Sequence, residues 1–294
     1  MSNARMFWIH SLTPLHVGAG QGVGFIDLPI MREKVTNWPV IPGSSVKGVL
    51  RDYHETRGEK NEFFRAGFGM EGKDGQAGSL VFTDAHMAFL PVRSLFGTFA
   101  YVTSPLALRR LKRDLEHTEH TGHSELPNVP MVDQDQILCT EGSAVKSGDK
   151  VYLEEFDFRG AESEDFSHWA RFFSDELFKS DPDWGNVFRE RLVCIHDDVF
   201  SFLTEHATEV AARVRIENET KSVASGALWY EESLPAETVL GGVLWSDRVP
   251  GGKFTQKAIL EHFFQVGRPL DVQMGGHATV GKGRVRMTFT GGEE

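Results

Sequence analysis

The segment NWPVIPGSSVKGVLRDYHE, residues 37–55, decides how the rest of the chain is read. Pro42 and Gly43 break an extended stretch, and Ser44 follows as a helix N-cap. Val46, Val49, Leu50 and Tyr53 then recur at i, i+3, i+4 and i+7. That spacing puts four apolar side chains on one stripe and predicts a helix over 44–57, with Lys47 and Arg51 beside the stripe. Upstream, Met6 to Ser11 reads as a strand, HVGAGQGVG (16–24) as a glycine-rich turn, and FIDLPI (25–30) as an extended segment. Downstream, 79–90 reads as a strand. Ser104 followed by Pro105, with Leu108, Leu111 and Leu115 on a stripe, predicts a basic amphipathic helix over 104–118.

Further on, VYLEEFDF (151–158) alternates as a strand does, helical patterns recur at 165–179, 197–211 and 255–266, and 213–231 reads as a hairpin with a polar tip. Strands at 237–246 and 284–290 close the series. The order strand, helix, strand, strand, helix, strand is that of a ferredoxin-like core, with 91–236 inserted between its second and third strands. An insertion of that length needs structure of its own, because compact domains rarely hold loops beyond about 15 residues. The fold class is therefore α+β.

The 294 residues carry 31 Lys and Arg against 42 Asp and Glu, a net charge of −11. The charge is segregated: residues 1–51 sum to +3, 248–290 to +5 and 154–198 to −8. An acidic total argues against free, non-specific nucleic-acid binding but leaves room for a local basic groove where the two termini meet. No apolar stretch approaches the roughly 18 residues needed to span a bilayer. The N-terminus lacks the layout of a secretory signal, and the expected compartment is the cytoplasm. Cys139 and Cys194 are too few for a disulfide framework.

Several familiar motifs fail on inspection. The 16–24 turn has Val23 where a dinucleotide fingerprint needs Gly or Ala, and it leads into a strand. Residues 276–282 imitate a phosphate loop, but Gly283 stands where a magnesium-binding hydroxyl is required. His117, His120 and His123 are spaced for a metal on a helix, yet Gly122 and its polar neighbours favour a loop. What survives is backbone-rich phosphate chemistry: Ser44, Ser45, Lys47 and Arg51 at one helix start, and Gly276, Gly281, Lys282, Gly283 and Arg284 in a glycine-rich loop. Together they point to a polyanion.

Four stretches carry a resemblance to a known family. They are TPLHVGAGQGVGFIDLPIMREKVTNWPVIPGSSVKGVLRD (13–52), LPVRSLFGTFAYVTSPLALRRL (90–111), SGALWYEESLPAETVLGGVLW (225–245) and VQMGGHATVGKGRVRM (272–287). The chain resembles the RAMP proteins of CRISPR-Cas systems, most of all the repeating backbone subunit of the type III-B (Cmr) complex. The acidic stretch 155–195 matches least, and its role stays open.

The resemblance implies a modified RNA-recognition-motif palm over 1–100 and 235–294, an inserted helical finger lobe over 101–234, and a thumb hairpin near 212–234. It implies copies stacked head to tail on a CRISPR guide RNA, other Cmr subunits as partners, and cleavage of complementary single-stranded target RNA with the help of a divalent metal, Mg2+ or Mn2+. It places the catalytic, metal-binding carboxylate on Asp27, a histidine on His16, and an acidic residue on Glu231 or its neighbour Glu232, with Ser233 where a tyrosine is expected. Two other readings stay open: a non-catalytic subunit that coats guide RNA, and a stand-alone guide-processing ribonuclease of the same superfamily.

Overall fold

A computed structural model describes residues 3–20, 22, 25–70, 75–118, 126–217, 219 and 223–291. The chain begins with β1 (Ala4–Ser11), β2 (Val40–Ile41), α1 (Gly43–Thr56), α2 (Glu62–Phe68), β3 (Gly69–Met70), β4 (Gln76–Ala77), β5 (Leu80–Phe82) and β6 (Ala85–Arg93). It continues through β7 (Phe99–Thr103), α3 (Pro105–His117), β8 (Gln136–Cys139), β9 (Lys146–Ser147), β10 (Lys150–Leu153) and β11 (Phe156–Glu162). Next come α4 (Glu164–Phe178), α5 (Pro182–Arg191), β12 (Leu192–Ile195) and α6 (Asp197–His206). The path ends with β13 (Glu209–Ile216), β14 (Val223–Ser233), β15 (Val239–Ser246), α7 (Gln256–Phe263), β16 (Leu270–Gln273) and β17 (Arg284–Thr290). The fold is mixed α/β.

Most strands join one sheet in the order β16-β17-β1-β15-β6-β7-β12-β8-β11-β10-β9. Within it, β17, β1, β15 and β6 pair antiparallel, with Met6 opposite both Thr290 and Val243. The reason β1 sits inside is its apolar run: Met6, Phe7, Trp8 and Ile9 are all fully buried. Alternation sends Phe7 and Ile9 to a core with Leu50 of α1, Phe64 of α2 and Phe263 of α7, and Met6 and Trp8 to a second core with Leu111 of α3, Trp169 of α4 and Phe188 of α5. A side chain buried this completely contributes roughly 1.5–3 kcal/mol, so a polar residue at Phe7 or Trp8 removes support from two layers of helices. Opposite these rings stand Gly242 and Gly241, where an added Cβ would lie only 2.5 Å from Phe7 and 2.7 Å from Trp8.

The helix over 43–56 forms, but Ser44 does not cap it. Its N-cap residue is Pro42, which has no side chain able to accept a hydrogen bond. Instead Asp84 Oδ1 accepts the Gly43 N–H at 2.8 Å, and a Cβ at Gly43 would strike the Phe82 carbonyl oxygen at 2.4 Å. The same Asp84 explains why 79–90 is two strands, β5 and β6: the chain breaks at Thr83 and Asp84 to bring the carboxylate to α1. Residues 151–158 are a hairpin turn between β10 and β11, made at Glu154 with φ +48°. The helix expected over 197–211 stops at His206, and Glu209 onward enters β13. The third amphipathic helix ends at Phe263, ahead of 266. His117 closes α3, while His120 and His123 lie outside the described residues. Among the described residues no helix is long and apolar enough to cross a membrane.

Candidate active site

Three separate segments meet at the root of the β13–β14 hairpin. Leu15 and Leu234 exchange backbone hydrogen bonds at 2.9 Å each. Leu28 N–H donates to the Tyr230 carbonyl at 3.1 Å, and Glu232 N–H returns to the Leu28 carbonyl at 3.0 Å. The glycine-rich loop docks from the other side, with Gly276 N–H on the His16 carbonyl and Gly283 N–H on that of Pro14, both at 2.9 Å. Antiparallel pairing of β1 with β17 delivers these loops to one edge. The sequence-expected residues Asp27, His16 and Glu231 are thereby brought to one root, though Glu231 lies more than 200 positions from the other two.

Asp27 is exposed, and its Oδ2 accepts the Tyr230 N–H at 2.8 Å. Oδ1 accepts no hydrogen bond among the described residues. His16 is 6% exposed, and its Nδ1 donates to the Glu232 carbonyl at 2.6 Å, the only role open to it beside a carbonyl oxygen. That bond anchors Nδ1, and Nε2 faces Gly18, where an added Cβ would lie 2.8 Å away. Glycine is therefore required at 18 for His16 to sit as it does.

Glu231 and Glu232, adjacent and 3% and 2% exposed, have different surroundings. Glu232 is consumed in holding chain segments: it accepts from Ile30 N–H at 3.0 Å, Arg32 Nη2 at 2.5 Å and Thr208 Oγ1 at 3.0 Å. Glu231 accepts from Trp229 Nε1 at 2.9 Å and Arg213 Nε at 3.2 Å, with Lys282 Nζ at 3.6 Å and His277 Nδ1 at 3.9 Å. Burial pushes its pKa up, but the Trp229 and Arg213 hydrogen bonds and the nearby charges outweigh this and leave it below the usual carboxylate value. Glu231 is thus a fixed negative charge.

Lys282, read from the sequence as a phosphate contact, is turned inward. Its ammonium donates to Ser233 Oγ at 2.7 Å and is 9% exposed, because the buried Glu231 carboxylate demands a counter-charge. Ser233, standing where a tyrosine is expected, is what receives it. Gly276 and Gly281 are exposed, Gly283 is buried, and the exposed Arg284 follows. On α1, Ser44 is exposed and Ser45 half-buried. Lys47 donates to the Leu80 carbonyl at 2.8 Å, and burial, then the neighbouring Arg51 charge, pulls its pKa down. Arg51 lies over the Phe64 ring at 5.8 Å and near Glu55. These partners, Leu80 for Lys47 and Phe64 and Glu55 for Arg51, belong to α1 and its neighbours and not to the Asp27 cluster.

The sequence reading missed Arg213, Trp229 and His277. Register in the hairpin, which pairs Arg213 with Trp229 two residues from Glu231, is the signal that finds the first two. His277 was hidden among glycines. Among the described residues no group of three or more His, Cys, Asp or Glu side chains is arranged to hold a metal ion.

The RAMP superfamily profile matches residues 8–286. The chain belongs to the RAMP superfamily. A RAMP relative from Pyrococcus furiosus, the CRISPR system Cmr endoribonuclease Cmr4, is 37% identical over 97% of this chain and 95% of its own length. The crystal structure of oligomeric Cmr4 from Pyrococcus furiosus superposes with TM-score 0.77 at 30% identity, covering 99% of both chains. A subunit of the Type III-B Cmr-beta complex bound to cognate target RNA shares the fold, with TM-score 0.72 at 22% identity over 97% of this chain and 96% of that one. The chain is a homologue of Cmr4 along its full RAMP region.

Proposed function

We propose that this chain is the repeating backbone subunit of a type III-B CRISPR ribonucleoprotein and cuts complementary target RNA at Asp27. The observation that carries the reading is the exposed Asp27 carboxylate, pinned by Tyr230 N–H to the root of the β13–β14 hairpin, the same root that holds His16 through the Glu232 carbonyl and carries Glu231. In this reading β17, β1, β15 and β6, with α1 and α7, form a ferredoxin-like palm over 1–100 and 235–294. Residues 101–234 form the finger lobe, and the hairpin near 212–234 is the thumb. Support comes from the strand order, from the endoribonuclease name of the Pyrococcus relative, and from the oligomeric form in which Cmr4 crystallised.

RNA carries its own nucleophile. The 2′-OH attacks the adjacent phosphorus in line, the P–O5′ bond breaks, and the strands leave with a cyclic phosphate and a 5′-OH. The protein has to splay one nucleotide into that geometry, take a proton from O2′ and return one to O5′. Asp27, with Oδ1 facing solvent, is placed for the first transfer, and His16, with Nε2 free of the bond that holds Nδ1, for the second. Glu231 supplies fixed charge. The residues fit a divalent cation only as one shared with RNA: a lone carboxylate plus substrate phosphates is a common magnesium arrangement, and Asp27 is the one side chain here to hold it. Such an ion, when bound, supplies charge stabilisation for the phosphate.

Head-to-tail copies, guide RNA and the other Cmr subunits complete the assembly in the cytoplasm. Arg284, Lys47 and Arg51, with the exposed Ser44, hold guide phosphates without reading bases, whereas the N–H groups of Ser45, Gly276, Gly281 and Gly283 already donate to the Pro42, His16, Ala278 and Pro14 carbonyls and serve by shaping the helix start and the loop. Lys282 serves this surface indirectly, by neutralising Glu231. The test is reconstitution with guide RNA. Cutting of complementary RNA at regular intervals, and none of an unmatched RNA, is the expected result. Coating without cutting identifies an architectural subunit, and cutting of repeat RNA by the monomer identifies a stand-alone processing enzyme.

A further inference from the structure

Resting on the cleavage reading above, we propose that His277 is a positioning residue of this site, setting the ring of His16 from the side its backbone bond leaves open. Two observations carry it. The His277 ring meets the His16 ring edge-on, 4.9 Å between centroids and 62° between planes, and its Nδ1 stands 3.9 Å from Glu231 Oε1. It is thus wedged between two residues of the site, and its side chain keeps 27% exposure toward the open face.

The second observation is the backbone. Gly275, Gly281 and Gly283 of this loop have φ of +75°, +83° and +81°, the left-handed region that glycine enters without cost. His277 has φ +64°, a conformation in which a residue with a Cβ is strained. Glycine would suit the backbone better, so the imidazole is what the position provides. Gly18 and Gly276 bring only backbone to the buried His16 ring, and among the described residues the bond from Nδ1 is its one side-chain hydrogen bond, so the edge of the His277 ring bears directly on its plane. Without His277 the ring can swing about that bond and carry Nε2 away from the scissile phosphate.

His277→Gly separates this role from folding, since glycine accepts the loop conformation. His277→Phe restores the ring edge without nitrogen atoms. Both are measured in the guide-loaded complex against the unaltered chain, by single-turnover cleavage, by target-RNA affinity and by thermal denaturation of the free chain. The expected result for His277→Gly is a cleavage rate lower by roughly 10- to 100-fold, in line with misplacement of a reacting group by about 1 Å. RNA affinity and Tm stay unchanged, and the Phe variant recovers most of the rate. An unchanged rate in His277→Gly, or loss that tracks RNA affinity, overturns the proposal while leaving the cleavage reading intact. Failure of the unaltered complex to cut overturns both.

Discussion

The root and the outer part of the β13–β14 hairpin belong to one pair of strands and are built on opposite principles. At the root, Glu231 and Glu232 are only 3% and 2% exposed and every carboxylate oxygen has a partner. Further out, Val214, Ile216 and Leu228 leave about half their surface in water, at 46%, 56% and 55%. Buried ions are costly unless all are matched, so the root tolerates one geometry, the one that holds Asp27 against Tyr230. A two-stranded ribbon with exposed apolar side chains is marginal alone and suits a surface that something else covers. The difference teaches that matched buried charge is concentrated at the root, where the proposed cleavage site lies, and exposed apolar surface further out, where the proposed assembly would cover it.

The largest expected effect that breaks this comparison is Glu231→Ala. It strands the Lys282 ammonium in a buried site and frees Arg213, and removing one partner of a buried pair costs about 3–5 kcal/mol. Chemical denaturation checks it; a loss below about 1 kcal/mol shows that the root is held elsewhere. Acid titration sharpens the same point. Glu231 has its pKa below the ordinary 4.5, so its contribution to stability is fully present above that pH and is lost as pH falls below it through the folded value. Glu33 behaves likewise: burial raises its pKa, but the His86, Thr36 and Arg110 hydrogen bonds bring it to about 2, and its contribution fades from pH 4.5 toward 2. Glu231→Gln and Glu33→Gln each flatten the acid limb of a stability–pH curve, and Leu228→Asp leaves it as it was.

Leu228→Asp is the converse probe. Because Leu228 is exposed, its effect on stability stays within about 0.5 kcal/mol, yet guide-dependent assembly, followed by sedimentation, weakens. Unchanged assembly removes the outer hairpin from the interface. The smallest effect is that of Lys47→Ala, which lowers guide affinity similarly for unrelated guides and reduces the slope of log affinity against log salt by about 1. A guide-dependent loss contradicts phosphate contact.

The elements that periodicity describes were legible: α1, α3 with its Ser104 cap and Pro105, α4 and β1 with its run MFWI. Local pattern failed where a distant residue decides. VYLEEFDF reads as one alternating strand, but the adjacent Glu154 and Glu155 interrupt the alternation, and the positive φ at Glu154 turns the chain there into a hairpin. Asp84 reads as one more strand residue until it caps α1. The short buried strands β7 and β12 carry no period distinct from the helices around them. At the site, the family resemblance pointed to Asp27, His16 and Glu231 or Glu232, but burial is not written in the sequence. Lys282 reads as a surface cation for that reason, and His277 carried no signal because its neighbours across the loop are set by β1–β17 pairing.

The measurement that bears most directly on the account is target-RNA cleavage by a guide-loaded complex carrying Asp27→Asn, with RNA binding followed in the same sample. Asparagine keeps the side-chain oxygen that accepts the Tyr230 N–H and removes the charge. The account predicts full binding and no cutting. Undiminished cutting would place the reaction elsewhere and contradict it.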